Sequence, residues 1–274
     1  MRRADHRNIV RRPELSQHFL RDPSVARRIV RHLHAEPRRL ILDVGAGDGM
    51  LTRALAGSGH RVIAIEKDWG LYRRLESRMA PYPDVECVHA DILDLPLPAA
   101  PYAVVSNVPY AITAALLRRL LHAARPPDEA LLVLQREAAQ KFAGAPLETR
   151  FSLLHKPWFD IAIVDALRRS DFVPPPRVTS VLLRIHRRAR PLLPPRSARW
   201  YASFVNTAFG HRAPEVARGL RAYLTARQAR RLGRDLGFTP DARASELTFA
   251  QWLAVFRFVE HECLGHDPTT ADAA

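Results

Sequence analysis

The chain is poor in cysteine and in lysine, and it has no long apolar run. Two cysteines in 274 residues, Cys87 and Cys263, exclude a disulfide framework and a cysteine-built metal cage. That usage fits a reducing compartment, and a cytoplasmic protein is expected. No apolar stretch approaches the roughly 20 residues that a membrane span needs, so no membrane partner is expected. The basic segment Met1–Arg12 is followed by no apolar core, so it does not read as a secretory signal. The twelve histidines show no metal-ligand spacing with cysteines or acids, and no metal is expected. Only three of the 42 basic residues are lysines (Lys67, Lys141, Lys156), an imbalance that a GC-rich genome also produces. What is abundant is arginine: with the lysines, the 42 basic residues against 28 acids leave a net charge of +14, which suits a polyanion, most commonly nucleic acid.

Charge and pattern divide the chain. Residues 1–12 carry five arginines and one aspartate and read as a basic, flexible arm. From Asp22 the spacing turns helical, with Asp22-Pro23 as an N-cap followed by proline at the first helical position. Strand-like runs at Arg39–Val44, Arg61–Ile65, Val85–His89, Tyr102–Ser106 and Glu129–Leu134 alternate with helical stretches at Met50–Ala56, Trp69–Met79 and Thr113–His122. Such alternation predicts a doubly wound, Rossmann-like α/β domain with a mostly parallel sheet, over residues 13–188. Asp160–Leu167 and Val178–His186 are too close for a helical crossover and read as an antiparallel pair that ends the sheet. A Pro/Arg-rich linker, Arg187–Pro195, leads to a small helical, RNA-binding domain over 189–264, with helices expected at Trp200–Phe209, Pro214–Tyr223, Ala226–Leu236 and Thr248–Glu262. Residues 265–274 read as a disordered tail. Cys87, Trp69, Trp200 and Trp252 read as packing residues.

A hydrophobic strand, Leu40–Val44, runs into Gly45-Ala46-Gly47-Asp48-Gly49 and then a helix. Gly45 and Gly47 let a backbone approach a ligand where a Cβ would collide. Glu66, 21 residues after Gly45 and at the end of the next strand, can accept hydrogen bonds from both hydroxyls of a ribose. Asp91, just after the third strand, can accept from an exocyclic adenine amine. An adenosine ligand with free ribose hydroxyls is expected, either NAD or S-adenosylmethionine; the spacing does not choose between them.

Ser106-Asn107-Val108-Pro109-Tyr110 follows the next apolar strand and decides the chemistry. An aromatic amine is a poor nucleophile because its lone pair is delocalised into the ring. The Asn107 side-chain oxygen and a nearby backbone carbonyl can accept its two N–H groups, while Tyr110 stacks on the ring and holds it in line with a methyl sulfonium.

With these residues the chain resembles the ribosomal RNA adenine N6-methyltransferases, a superfamily that includes the Erm macrolide-resistance enzymes and the KsgA small-subunit enzymes. The likeness runs from about Ser16 to Arg218. It covers Ser16-Gln17-His18-Phe19-Leu20, Asp43–Gly49 with Leu51-Thr52, Ile65-Glu66-Lys67-Asp68, Asp91, Asn107–Tyr110, Leu134-Gln135-Arg136-Glu137, Phe172–Val181 and Asn206-Thr207-Ala208-Phe209. It implies S-adenosylmethionine as cofactor, held by His18, Leu20, Gly45, Gly47, Glu66, Asp91 and Asn107. It further implies catalysis by Asn107, Pro109 and Tyr110, with Phe172 packed on the target adenine opposite Tyr110. Where the family usually reads Gln-Asn-Phe this chain has Gln17-His18-Phe19, whose imidazole can still donate to the methionine carboxylate.

Phe151–Ile163, the Asn206–Phe209 segment and the short helical C-terminal domain look more like the Erm branch. That branch methylates an adenine in the drug-binding region of 23S ribosomal RNA and so confers resistance to macrolide antibiotics. A KsgA-type enzyme acting on 16S RNA is the alternative. Arginines for the RNA phosphates are expected in the arm (Arg2, Arg3, Arg7, Arg11, Arg12), in Arg184, Arg187, Arg188 and Arg190, and in Arg218, Arg221, Arg227, Arg230 and Arg231. Log affinity should fall by about 0.7–0.9 per decade of salt for each contact released. A monomer is the simplest expectation for an enzyme with so large a substrate. Three further readings compete: an NAD-dependent oxidoreductase, a DNA adenine methyltransferase, and an RNA-binding or transcription factor on a decayed methyltransferase fold.

Overall fold

A computed structural model of the chain describes residues 18–209 and 215–264. The basic arm, Ser16, Gln17 and the tail lie outside the described residues. The chain divides into two compact units, one running up to Arg136 together with Ile163–Arg187, the other formed by Glu137–Ala162 and the residues from Arg188 onward.

The first unit opens with a two-residue strand, β1 (Phe19–Leu20), and helix α1 (Pro23–Val30). The Asp22 carboxylate caps α1 by accepting from the Ser24 N–H at 2.7 Å, and Pro23 fills the first turn, where no N–H is needed. There follow β2 (Leu40–Val44), α2 (Met50–Ala56), β3 (Arg61–Glu66), α3 (Trp69–Met79), β4 (Val85–His89), β5 (Tyr102–Asn107), α4 (Thr113–Leu121) and β6 (Glu129–Gln135). Strands β2, β5 and β6 are buried along nearly their whole length, as a sheet covered on both faces requires. α5 (Arg136–Ala143) and α6 (Arg150–His155) come next, then β7 (Phe159–Leu167), β8 (Phe172–Val173) and β9 (Ser180–Arg187).

The seven-stranded sheet has the order β4-β3-β2-β5-β6-β9-β7. β2 pairs in parallel with both β3 and β5, so the strand order reverses between β2 and β5, the position where α/β sheets open a ligand crevice. β9 is antiparallel to β6 and is followed at the sheet edge by β7. The boundary between the units falls inside β7, after Ala162. β1 and β8 form a separate antiparallel ladder, with Phe19 opposite Val173 and Leu20 opposite Phe172.

The second unit adds α7 (Ala198–Ala208), α8 (Val216–Gly219), α9 (Ala226–Leu236) and α10 (Phe249–Leu264). The sequence boundary near 188 leaves out one segment: residues 137–162 also belong to this unit. Leu153 of α6 is buried in the same core as Tyr201, Phe204, Trp252 and Phe256, and its carbonyl accepts from the Tyr201 hydroxyl at 3.0 Å. α5 and α6 were not expected as helices. The expected helix Pro214–Tyr223 shrinks to α8, which ends at Gly219; a Cβ there would lie 2.5 Å from the Ala208 carbonyl oxygen. Trp252 is fully buried, its indole N–H bonded to the Ala244 carbonyl at 2.9 Å, and Trp200 packs on Phe256. Trp69 is not part of the core: it is 58% exposed.

Candidate functional site

The carboxyl ends of β2, β3 and β5, with the segment after β4, enclose a cavity of about 380 Å³ in the first unit. His18, Leu20, Gly45, Gly47, Glu66, Asp91, Asn107, Pro109 and Tyr110 all line it, so the structure brings these sequence-selected residues together. Phe172 is the exception. It is 1% exposed and packs in the core with Leu20, Val25 and Ile29, away from the cavity lining. The β1–β8 ladder places it directly opposite Leu20.

The glycine loop is shaped by its neighbours. Gly45 and Gly47 have φ of +66° and +59°, values that side-chain-bearing residues rarely adopt, and the N–H groups of Gly45 and Ala46 both donate to the Ile65 carbonyl at 2.9 and 3.0 Å. A Cβ on Gly47 would lie 3.0 Å from the Phe19 ring. Glu66, 5% exposed, accepts from the Gly47 N–H at 2.8 Å through one oxygen and from the Asp68 N–H at 2.8 Å through the other. Burial raises its pKa, and those two backbone bonds work against the rise. Each oxygen keeps a further lone pair, which is what a vicinal diol would use. Asp91 accepts from the Lys67 ammonium at 2.7 Å and from the Leu93 N–H at 2.9 Å; the bond from Lys67 holds its pKa below the usual value.

At the other end, the Asn107 amide Nδ2–H donates to the His18 carbonyl at 2.7 Å. With the nitrogen so fixed, its oxygen is the group left to accept. The Tyr110 hydroxyl lies 3.3 Å from Ser180 Oγ, and its ring is tilted against the His18 imidazole at 5.8 Å. The His18 Nδ1–H donates to the Pro174 carbonyl at 2.8 Å. A neutral ring therefore presents the Nε2 lone pair to any further partner, and the expected donation to a carboxylate requires the imidazolium.

Asp43 was quoted in the glycine motif but given no role. It is 1% exposed, lines the cavity and accepts from the Thr52 hydroxyl at 2.5 Å through Oδ2, while its Oδ1 is buried without a partner. Burial, aided by the charges of Glu66 and Asp48, pushes its pKa up to about 7. The signal in the sequence was its position as the sole charged residue in an otherwise apolar strand. An unpartnered acceptor in the wall calls for a cationic or N–H-bearing ligand there. Together with the acid pair Glu66 and Asp91, this set of acceptors fits an adenosine that carries an amino group.

Among the described residues no cluster of histidine, cysteine or acid is built to hold a metal ion, and no helix is long and apolar enough to cross a membrane. The RNA-candidate arginines in and just after β9 are partly engaged: Arg184 reaches the His34 ring at 3.3 Å, Arg187 pairs with Asp128, and Arg188 lies 3.8 Å from Asp160.

The profile of the family described as "Ribosomal RNA adenine dimethylase" matches residues 9–261. The chain is 32% identical to "Ribosomal RNA small subunit methyltransferase A" of Synechococcus sp., over 89% of this chain and 91% of that protein. It is 34% identical to "Mycinamicin-resistance protein MyrB" of Micromonospora griseorubida, over 90% of this chain and 78% of that one. The crystal structure of the 23S rRNA methyltransferase ErmE superposes with a TM-score of 0.83 at 30% identity, covering 88% of this chain and 99% of that chain.

Proposed function

The chain belongs to the ribosomal RNA adenine dimethylase family, and on that premise we propose that it methylates N6 of one flipped-out adenine in 23S ribosomal RNA, using S-adenosylmethionine and conferring macrolide resistance. The observation that carries the chemistry is the Asn107 amide, turned by its bond to the His18 carbonyl so that its oxygen is the free acceptor in the cavity wall. The likeness to ErmE supports the 23S target, and the likeness to MyrB supports a resistance role. We propose further that the enzyme works as a monomer in the cytoplasm, its excess positive charge meeting the RNA phosphates.

Glu66 would hold the ribose hydroxyls, Asp91 the adenine amine and Asp43 the amino group of the cofactor, while Gly45 and Gly47 would let its chain lie against the backbone. His18 and Leu20 close the wall from β1. When bound, S-adenosylmethionine supplies a methyl group activated by a positive sulfur, which departs as a neutral thioether. Asn107 and a backbone carbonyl of the Asn107–Tyr110 loop accept the two N–H groups of the target amine. That would draw its lone pair out of the ring and aim it at the activated methyl group. The amine proton is then released to solvent. Pro109 fixes the turn that presents Tyr110, and the Tyr110 ring holds the base flat. Phe172 can join a base only by leaving the core, so the base-holding role rests on Tyr110.

The likeness to the small-subunit enzyme favours one alternative, methylation of 16S RNA by the same site. Labelled S-adenosylmethionine incubated with separated 23S and 16S RNA decides. Label in 23S RNA, lost in Asn107→Ala and Tyr110→Ala, is the expected result. Label in 16S RNA selects the alternative, and label in neither overturns both.

A further inference from the structure

Two large apolar side chains stand in solvent among the described residues, Trp69 at 58% exposure and Leu147 at 50%. Trp69 is held on several sides. Its ring stacks on Tyr72 at 5.5 Å with 28° between the planes and meets His89 edge-on at 5.0 Å. The Arg73 guanidinium sits 5.7 Å from the ring centre. His89 is anchored in turn, its Nε2–H donating to the Lys67 carbonyl at 3.0 Å. α3 buries Leu71, Leu75 and Met79, so its packing does not require an indole at the first position. A tryptophan that is fixed in place and still wet has lost its rotamer freedom before any ligand arrives.

The cluster stands on the rim of the cavity. Trp69 follows Lys67 and Asp68, and His89 precedes Asp91 by two residues; Lys67, Asp68 and Asp91 all line the cavity. The nearby charges suit a flat partner on an anionic backbone. The Lys67 and Arg73 side chains are 76% and 62% exposed, while Asp91 is bound to Lys67 and Glu76 to Tyr72 and Arg73. An aromatic face fringed with cations is the surface on which unpaired nucleobases stack.

We propose that Trp69, with Tyr72, Arg73 and His89, is a stacking platform for an unpaired base of the RNA substrate, distinct from the target adenine. The proposal rests on the RNA-methyltransferase reading. Stacking there adds to the binding energy that offsets extrusion of the target base.

The test uses the full chain and a transcript of 23S RNA. Trp69→Ala should weaken RNA binding about tenfold or more, as loss of one stacked base does, with Trp69→Tyr within about threefold of the parent. Affinity for S-adenosylmethionine without RNA should not change. Saturating RNA should also shield Trp69 from acrylamide, read as the difference in quenching between the parent and Trp69→Phe. Arg73→Ala should lower RNA affinity and reduce its salt dependence. If the parent methylates RNA but Trp69→Ala binds it within about twofold of the parent, the platform is overturned while the function stands. If Trp69→Ala weakens cofactor binding in the absence of RNA, the indole serves the cofactor and the proposal fails. A parent that neither binds nor methylates ribosomal RNA sinks the function and the platform together.

Discussion

Asn107 and His18, 89 positions apart, meet through the hydrogen bond from the Asn107 amide to the His18 carbonyl at 2.7 Å. Because the acceptor is backbone, the bond orients Asn107 whatever side chain stands at 18. Asn107→Ala should lower the single-turnover methyl-transfer rate about 10²–10³-fold, the usual loss for one oriented polar group in a transition state. Asn107→Asp removes the donor and places a carboxylate against a carbonyl, so it should be no better. Rapid-quench assays at saturating cofactor test this; an unchanged rate with only a weaker cofactor would place the amide away from the reacting amine.

The His18 ring makes a separable contribution. Its Nδ1–H is committed to the Pro174 carbonyl, so His18→Asn, which carries a donor in every protonation state, should bind S-adenosylmethionine at least as tightly as the parent. Calorimetric titration of the two proteins checks it, and a markedly weaker His18→Asn would show that the ring contributes through packing.

Glu66 supports the glycine loop and faces the ligand with the same two oxygens. Glu66→Gln replaces one acceptor with a donor, which must then oppose the N–H of Gly47 or Asp68. Cofactor affinity should fall at least about tenfold, with a lower melting temperature in the free protein as well, since a buried N–H loses its partner. Unchanged melting would mean that the loop does not depend on these bonds.

Asp43 should make stability depend on pH. Its folded pKa, about 7, lies above the unfolded value of 3.8, so the folded state holds a proton that the unfolded chain has released. The contribution is fully present below pH 3.8 and declines as pH rises toward about 7. At the limit the loss is on the order of 4 kcal/mol. Asp43→Asn should therefore flatten the fall in stability between about pH 4 and pH 7 in urea melts of the free protein. An identical pH profile would show that Asp43 is ionised throughout.

Gly47 has no room for a side chain. Gly47→Ala meets a positive φ and the Phe19 ring together, and should cost about 1–2 kcal/mol from the backbone alone. It should also weaken the cofactor, because Phe19 must move within the cavity wall. Relief of the cofactor defect in Gly47→Ala/Phe19→Ala would identify the ring as the obstacle.

The sheet was legible because its central strands are nearly continuous apolar runs, and three site residues stand at or just past strand ends: Glu66 ends β3, Asn107 ends β5 and Asp91 follows β4. Three things were not legible. α5 buries only two alanines, and α6 buries Leu153 beside Ser152 and His155, so neither shows a clear apolar stripe. Their membership of the second unit depends on Leu153 meeting Tyr201, a long-range contact. Phe172 sits in a motif that reads as functional, yet its strand partner, Leu20, was fixed by a ladder of two residues that no local pattern announces. Trp69 obeys helical spacing, and spacing alone does not tell a packed tryptophan from a displayed one.

The ladder between Phe19–Leu20 and Phe172–Val173, with the His18 ring on Pro174, also sets an order of events during synthesis. The wall that β1 contributes is held by residues made some 150 positions later. A nascent chain that has already produced the glycine loop, Glu66, Asp91 and Asn107 therefore still has an open cavity. Tight capture of the cofactor should begin only after residue 174 has left the ribosome, so truncated translation products should not sequester the methyl donor.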